Sequence, residues 1–479
     1  MEYDVIPVVR TLSADTLTPL VAFAALSEGN SEAFLFESVE RGENLGRYSF
    51  VGFEPRRTLK LDATVSDPVR VLNEELVPLR VRGEDQLPPF FGGAVGYFGY
   101  GVNGWSERIP DSHPDEYGVP DAKLLFFDNV VVFDHVLQRM HVVANIFTKD
   151  GTLEDANERL DRAIAKLRRA SVAPLELDFA ASAGDAFTSN HTKASFEQMV
   201  RDAKEEIVAG EIFQIVVSQR WETGYPTGEA LTLYRALRSI NPSPYMFLLR
   251  TSEVTLVGAS PEMLVRVTGH GSSSDGETGT SSGVHQTTVE TRPIAGTRPR
   301  GATHEEDREH EASLLADPKE NAEHLMLVDL GRNDLGRVCE SGSVRVEDFR
   351  HIERYSHVMH LVTDVHGHLR DDHTPVDAFL SCFPAGTVSG APKIRAMELI
   401  DRFETTRRGP YAGAIAYFSF NGNLDSCITI RTITLANDRA YVQAGAGIVF
   451  DSDPATEYVE TENKSMALRR AIAVARAAL

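Results

Sequence analysis

The chain has 479 residues, with 48 Lys and Arg against 70 Asp and Glu, a formal net charge of −22. So acidic a surface disfavours a nucleic-acid partner, because phosphate binding needs a cationic footprint. With 42% hydrophobic and 25% charged residues, the composition is that of a globular protein and excludes disorder as the dominant state. Three cysteines, Cys339, Cys382 and Cys427, are too few and too irregularly spaced for a disulfide framework or a zinc site. The start Met1-Glu2-Tyr3-Asp4 is no signal peptide, and no apolar run reaches the ~20 residues that span a bilayer. A soluble, cytoplasmic protein with no membrane partner is expected.

From Glu32 to Phe147 short β-rich runs alternate with turns: 33–39, 48–53, 124–133 and 141–147, material for antiparallel sheet. Gly92-Gly93-Ala94-Val95-Gly96 lacks the glycine spacing and the following helix of a dinucleotide loop. Thr152 caps a helix with apolar residues at Leu153, Ala156, Leu160, Ala163, Ile164 and Leu167. Residues 171–191, rich in Ala, Ser, Pro and Asp, read as a linker between an N-terminal region, 1–170, and a C-terminal region, 192–479. The second region opens with a capping box at Ser195-Phe196-Glu197-Gln198 and a strand over 213–218, and strands follow at 256–258, 414–420 and 428–435. Strands in runs with peripheral helices predict α+β architecture, not a doubly wound parallel sheet. The stretch 269–288, nearly all Gly, Ser, Thr, Asp and His, predicts a mobile surface insertion.

Two segments share a grammar that bears on chemistry. In Asp317-Pro318-Lys319-Glu320-Asn321-Ala322-Glu323, Asp caps, Pro sits at the first helical position, and the two glutamates fall one turn apart on one face. Asp453-Pro454-Ala455-Thr456-Glu457-Tyr458-Val459-Glu460 repeats it, with Lys464 on the same face. Hard carboxylate oxygens from two helices suit Mg²⁺, while glutamates in a first turn equally complement a helix dipole. In His304-Glu305-Glu306-Asp307-Arg308-Glu309-His310 the histidines lie six apart and face different ways, so a solvated helix start capped by Thr303 and Glu306 is expected instead of zinc. Gln443-Ala444-Gly445-Ala446-Gly447 can offer backbone amides to an anion or form a structural turn, and 383–393 reads as a loop presenting Thr387. Taken alone, His360 in an apolar run reads as a core histidine.

Pro293-Ile294-Ala295-Gly296-Thr297-Arg298-Pro299-Arg300-Gly301 and Asp329-Leu330-Gly331-Arg332-Asn333-Asp334-Leu335 resemble the chorismate-utilising enzymes, over about residues 196–468 and most closely the anthranilate synthase component I branch. The resemblance implies a two-layer sandwich of orthogonally packed antiparallel sheets with peripheral helices. It implies Mg²⁺ at Glu323 and Glu460, with Glu320 and Glu457 acting through water. Glu262 matches the general acid for the departing hydroxyl, and His360 the residue of the later proton abstraction and pyruvate loss. Gln214, Gly296, Thr297, Thr387, Tyr411, Arg431, Gly445, Gly447 and Lys464 match substrate-holding positions. Leu35-Phe36-Glu37-Ser38 and the run 241–247, with Pro244, Tyr245 and Met246, resemble a tryptophan-sensing pocket, although Phe36 stands where the family more often has Leu. Neutral Gln214 in place of a lysine base disfavours water as nucleophile, and Ala295 in place of a nucleophilic lysine disfavours aminodeoxychorismate synthesis. Amination of chorismate at C2 and elimination to anthranilate remain, with aminodeoxyisochorismate synthesis as the alternative within enzymes. A non-catalytic tryptophan-binding regulator is argued against by the joint presence of the six acid, metal and histidine positions. None of the three cysteines lies in a Gly-x-Cys-x-Gly elbow, which implies a separate glutamine amidotransferase subunit.

Overall fold

The computed structural model describes residues 2–38, 46–181, 187–269, 286–354 and 358–479. Its strands form two antiparallel sheets, one of twelve and one of ten strands among the described residues. Aromatic and aliphatic side chains fill the space between them, Phe34, Phe50, Phe247 and Leu256 from the larger sheet meeting Val95, Tyr97, Phe127 and Tyr417 from the smaller. Helices surround the sheets: Leu153–Arg168, Ala230–Ile240 and Pro454–Ala477 pack on the larger sheet, Lys193–Val208 and Lys393–Phe403 lie against its strand Gln214–Gly224, and Pro318–Gly336 lies against Ile294–Pro299 and Val358–His368 of the smaller one. This is the expected α+β arrangement of two sheet layers with peripheral helices.

Both sheets cross the division between residues 1–170 and 192–479. Ala33–Glu37 pairs with Tyr245–Arg250 in the larger sheet, and Gly93–Phe98 pairs with Ala414–Ser419 in the smaller. The division is therefore one of chain order and not of separate sheets. Within the linker, Thr188–Ser189 adds a short strand to Gln214–Gly224, and Leu177 and Phe187 pack against the helix-covered core. Of the 269–288 insertion only 269 and 286–288 are described, and Thr288 already belongs to a strand, Thr288–Thr291, paired with Val358–His368.

Several boundaries differ from the sequence reading. The apolar run 124–133 is two strands, Ala122–Phe127 in the smaller sheet and Asn129–Asp134 in the larger, separated at Asp128. The run 428–435 likewise divides into Leu424–Ile428 and Thr432–Ala436, one in each sheet. Both runs are rich in apolar residues on either side of the break because each half lies in a buried sheet, so hydrophobic periodicity does not show that the partner sheet changes. The helix expected to start at Ser195 is capped by Thr192, whose hydroxyl accepts from the Ser195 amide at 3.1 Å. At the acidic helix start, Thr303 caps as expected, but Glu306 accepts from the Ala302 amide and not from the cap's own, so the reciprocal box is not closed. The glycines at Gly92 and Gly93 serve packing: a Cβ on Gly93 would lie 2.0 Å from the Phe418 carbonyl oxygen.

Candidate active site

Two Asp-Pro helix starts bring the paired glutamates together. Asp317 accepts from the amides of Lys319 and Glu320 at 2.9 and 3.3 Å, and Asp453 from that of Thr456 at 2.9 Å, so each helix begins where the sequence places it. The carboxylates then share one electrostatic environment. Burial, followed by Glu320 and with a further contribution from Glu460 on the other helix, raises the Glu323 pKa; burial raises that of Glu457, again with Glu460 contributing. Two of the four are held by cations of the chain: Glu460 by Lys464 at 2.6 Å and Glu320 by Arg298 at 3.3 Å.

Facing these helices, Ile294–Pro299 pairs with Val358–His368 so that Thr297 lies opposite His360. His360 Nδ1 is 2.9 Å from the Gly296 carbonyl oxygen and 3.1 Å from the Thr297 hydroxyl. A carbonyl can only accept, so the proton sits on Nδ1 and the lone pair on Nε2. Burial lowers the His360 pKa and keeps the ring neutral. Gly296 also touches the carboxylate group, since a Cβ there would lie 3.1 Å from Glu320 Oε2.

The remaining predicted residues arrive on six further segments, with Lys464 on the helix Pro454–Ala477. Glu262 follows the strand Thr255–Ser260, and its Oε1 accepts from the Thr387 hydroxyl at 2.8 Å. Burial pushes the Glu262 pKa up to about 7, against the opposing influence of Thr387 and the Lys464 ammonium. Gln214 opens the strand Gln214–Gly224, and Gly445 and Gly447 lie on the neighbouring strand Arg439–Ile448. These glycines are needed for close approach: a Cβ on Gly445 would stand 2.9 Å from the Tyr411 hydroxyl, and one on Gly447 2.8 Å from Gln214 Nε2. Arg431 sits in the sheet-to-sheet crossing at φ 49° and donates to the Lys464 carbonyl at 2.5 Å, while Lys464 Nζ reaches the Gly445 carbonyl at 3.1 Å. Left-handed backbone at a non-glycine residue is uncommon and costs about 1–3 kcal/mol.

The sequence reading did not find Arg298, whose guanidinium spans Asp317 at 2.7 Å and Glu320, although its place in the motif beside Gly296 and Thr297 marks it. It also missed the buried pair Glu404 and Arg408, which looks in sequence like a solvent-exposed i,i+4 pair. Among the described residues no three His, Cys, Asp or Glu side chains are grouped tightly enough to hold a metal as they stand. The donors nevertheless fit a hard divalent cation: Glu323 and Glu457 carry raised pKa values from burial and from repulsion by Glu320 and Glu460 on the first and by Glu460 on the second, which a cation would relieve.

The model of the chorismate binding enzymes matches residues 31–470. The chain belongs to this family. Among its relatives, the anthranilate synthase component 1 of Acetivibrio thermocellus is 46% identical over 98% of this chain and 96% of the relative, and that of Thermus thermophilus is 45% identical over 99% of each. The crystal structure of anthranilate synthase component I from Streptococcus pneumoniae superposes with a TM-score of 0.77 at 36% identity, covering 96% of this chain and 99% of that one. The menaquinone-specific isochorismate synthase of Escherichia coli has the same fold, with a TM-score of 0.71 at 20% identity, covering 98% and 96%.

The two segments expected to sense tryptophan come together as paired strands, Glu37 opposite Met246. Alternation divides their side chains. Met246 faces the core under the helix Ala230–Ile240, whereas the Tyr245 hydroxyl lies among Asp425 and Arg266 at 3.1 and 3.3 Å. Glu37 is held by Tyr234 at 2.5 Å and by Arg238 at 3.1 Å. Ser38 Oγ is buried with no hydrogen-bond partner among the described residues, and Pro244 immediately precedes the strand Tyr245–Arg250.

Proposed function

We propose that this chain is the chorismate-aminating large subunit of an anthranilate synthase. The reading is supported by an acid and a base near one linked pair of cations: Glu262, beside Lys464, which keeps its proton to about pH 7, and His360, beside Arg431, whose neutral ring has its basic lone pair on Nε2. Two proton transfers suit amination followed by elimination. In the first, ammonia bonds to C2 of chorismate, the ring double bonds shift, and the C4 hydroxyl leaves as water with the Glu262 proton. In the second, His360 takes the C2 proton, the ring becomes aromatic, and the enolpyruvyl group departs and is protonated to pyruvate. The relatives named as component 1 support the same assignment.

Arg431, Lys464 and the Gly445 and Gly447 amides would take the substrate carboxylates, Arg431 being suited to a two-point grip. Tyr411, whose pKa burial raises to about 12, would stay a neutral donor. Gln214 offers an amide and no base. Glu323 and Glu460, with Glu320 and Glu457 behind water, would hold Mg²⁺, which when bound neutralises the carboxylate end of the substrate.

A glutamine amidotransferase subunit is the proposed ammonia source, because this chain offers no thiolate: Cys339 and Cys382 are buried, and burial pushes their pKa values up to about 11 and 12, while Cys427 is raised further still. Among the described residues no helix is long and apolar enough to cross a membrane, and the proposed setting is the cytoplasm. The test is anthranilate fluorescence from chorismate, Mg²⁺ and either donor. Ammonium should support product and glutamine should not; glutamine-dependent product from this chain alone would refute the need for a partner.

Feedback by L-tryptophan is part of the proposal, and the orphaned Ser38 hydroxyl supports it. Losing one hydrogen bond of ~0.5–1.5 kcal/mol, Ser38→Ala should weaken tryptophan inhibition by about 2- to 13-fold with activity intact. A volume-conserving Met246→Leu should alter it too. A tryptophan titration unchanged in both variants would place the sensor elsewhere.

A further inference from the structure

We infer that Arg408 is a positioning residue for this reaction, because its guanidinium and the Glu404 carboxylate clamp the segments that carry Gln214, Thr387, Gly445 and Tyr411. The inference rests on the proposed function. Arg408 and Glu404 are almost wholly buried, their side chains 1% and 4% exposed. Arg408 Nε and Nη2 donate to the two oxygens of Glu404 at 2.9 and 2.6 Å, Nη1 to the Val388 carbonyl at 2.7 Å, and Nη2 also to the Val216 carbonyl at 2.8 Å. Glu404 Oε1 accepts in turn from the Ser218 amide and hydroxyl at 2.8 and 2.7 Å, and that hydroxyl accepts from Gln443 at 2.8 Å.

Val388, Val216 and Gln443 each lie one or two residues from a proposed substrate or acid contact, and Ser218 is paired with Gly445 across the sheet. Val388 follows Thr387, which donates to Glu262; Val216 is two residues after Gln214; Gln443 is two before Gly445. Arg408 also lies over the Tyr411 ring, 5.6 Å from its centroid. The planar fork reaches three acceptors on three segments at once, which a lysine ammonium on a flexible stem does not reproduce. For packing alone a buried ion pair has no advantage, since apolar residues of like volume are often as stable. What the pair adds is a fixed spacing between the turn bearing Thr387 and the two strands beneath it.

The test uses the double substitution Arg408→Met with Glu404→Gln, which leaves no unpaired buried charge and keeps an acceptor for Ser218. A 1 Å misplacement of reacting groups costs ~10²-fold, so kcat per folded molecule should fall about 10- to 100-fold, in protein whose thermal unfolding remains cooperative. The alkaline limb of kcat/KM for chorismate, measured at fixed free ammonia, should move to higher pH. Burial raises the pKa of Glu262, the group behind this limb, against the Thr387 hydroxyl and the Lys464 ammonium, and the double variant loosens the first of these two opposing groups. Thr387→Val supplies the reference shift, and adding it to the double variant should produce no further movement. An unchanged kcat and unchanged limb, or a shift that adds to that of Thr387→Val, would overturn the role of Arg408. In those cases the parent enzyme still makes anthranilate, which separates this failure from failure of the proposed function.

Discussion

Glu262→Gln should reduce chorismate consumption by ~10²–10⁴-fold, the contribution of a positioned general acid. The amide keeps the shape and the Thr387 hydrogen bond but has no acidic proton for the departing hydroxyl. In the parent the same carboxyl sets a pH dependence. The active form is protonated, its pKa is about 7, and kcat/KM at fixed free ammonia should therefore fall as pH rises through that value. Glu262→Gln should remove the limb along with the rate. His360→Met acts on the other proton. It should leave chorismate consumption largely intact, lower anthranilate formation by a similar ~10²–10⁴-fold, and let the aminated ring accumulate for detection by chromatography. Equal loss of both rates with no intermediate would make His360 a supporting residue behind Gly296 and Thr297.

The second large effect is expected at the helix starts. Glu323→Gln and Glu460→Gln each remove one anionic oxygen from the group proposed to face Mg²⁺, and turnover should drop by at least ~10²-fold at limiting metal, in the range for groups that stabilise developing charge. Folding should not suffer. Glu323 is held above its ordinary pKa by burial and neighbouring carboxylates, so neutralising it relieves repulsion. Glu460 meets Lys464 on a partly exposed face, where an ion pair contributes ~0–1 kcal/mol. Activity measured against Mg²⁺ concentration, beside thermal unfolding, separates the two roles. A normal rate at limiting Mg²⁺ in either variant would dismiss the two-helix site.

These residues differ in how far the chain announces them. Asp-Pro followed by paired glutamates is a local signal: cap, fixed φ and i,i+3 spacing all act within one turn, and both helices begin where those rules place them. Glu262 and His360 have no such local signature. Their environments come from segments more than sixty residues away, Thr387 for the one and Gly296 for the other, so only the family resemblance could single them out. The crossings at Asp128 and Arg431 were hidden for a different reason. A chain passing from one buried sheet to another stays apolar on both sides, and the change of partner leaves no trace in periodicity. Arg408 and Glu404 carried no signal because i,i+4 charge pairs are ordinarily solvated. Only the surrounding strands and the turn at Thr387 bury this one.

The central claim is that one site both aminates chorismate and completes the elimination. Incubation of the purified chain with chorismate, Mg²⁺ and ¹⁵N-ammonium, followed by mass spectrometry of all aromatic and cyclohexadiene products, tests it most directly. The account predicts anthranilate carrying a single ¹⁵N, with one pyruvate released for each chorismate consumed. Accumulation of a labelled, still enolpyruvylated ring, or of an unlabelled hydroxylated isomer of chorismate, would contradict it.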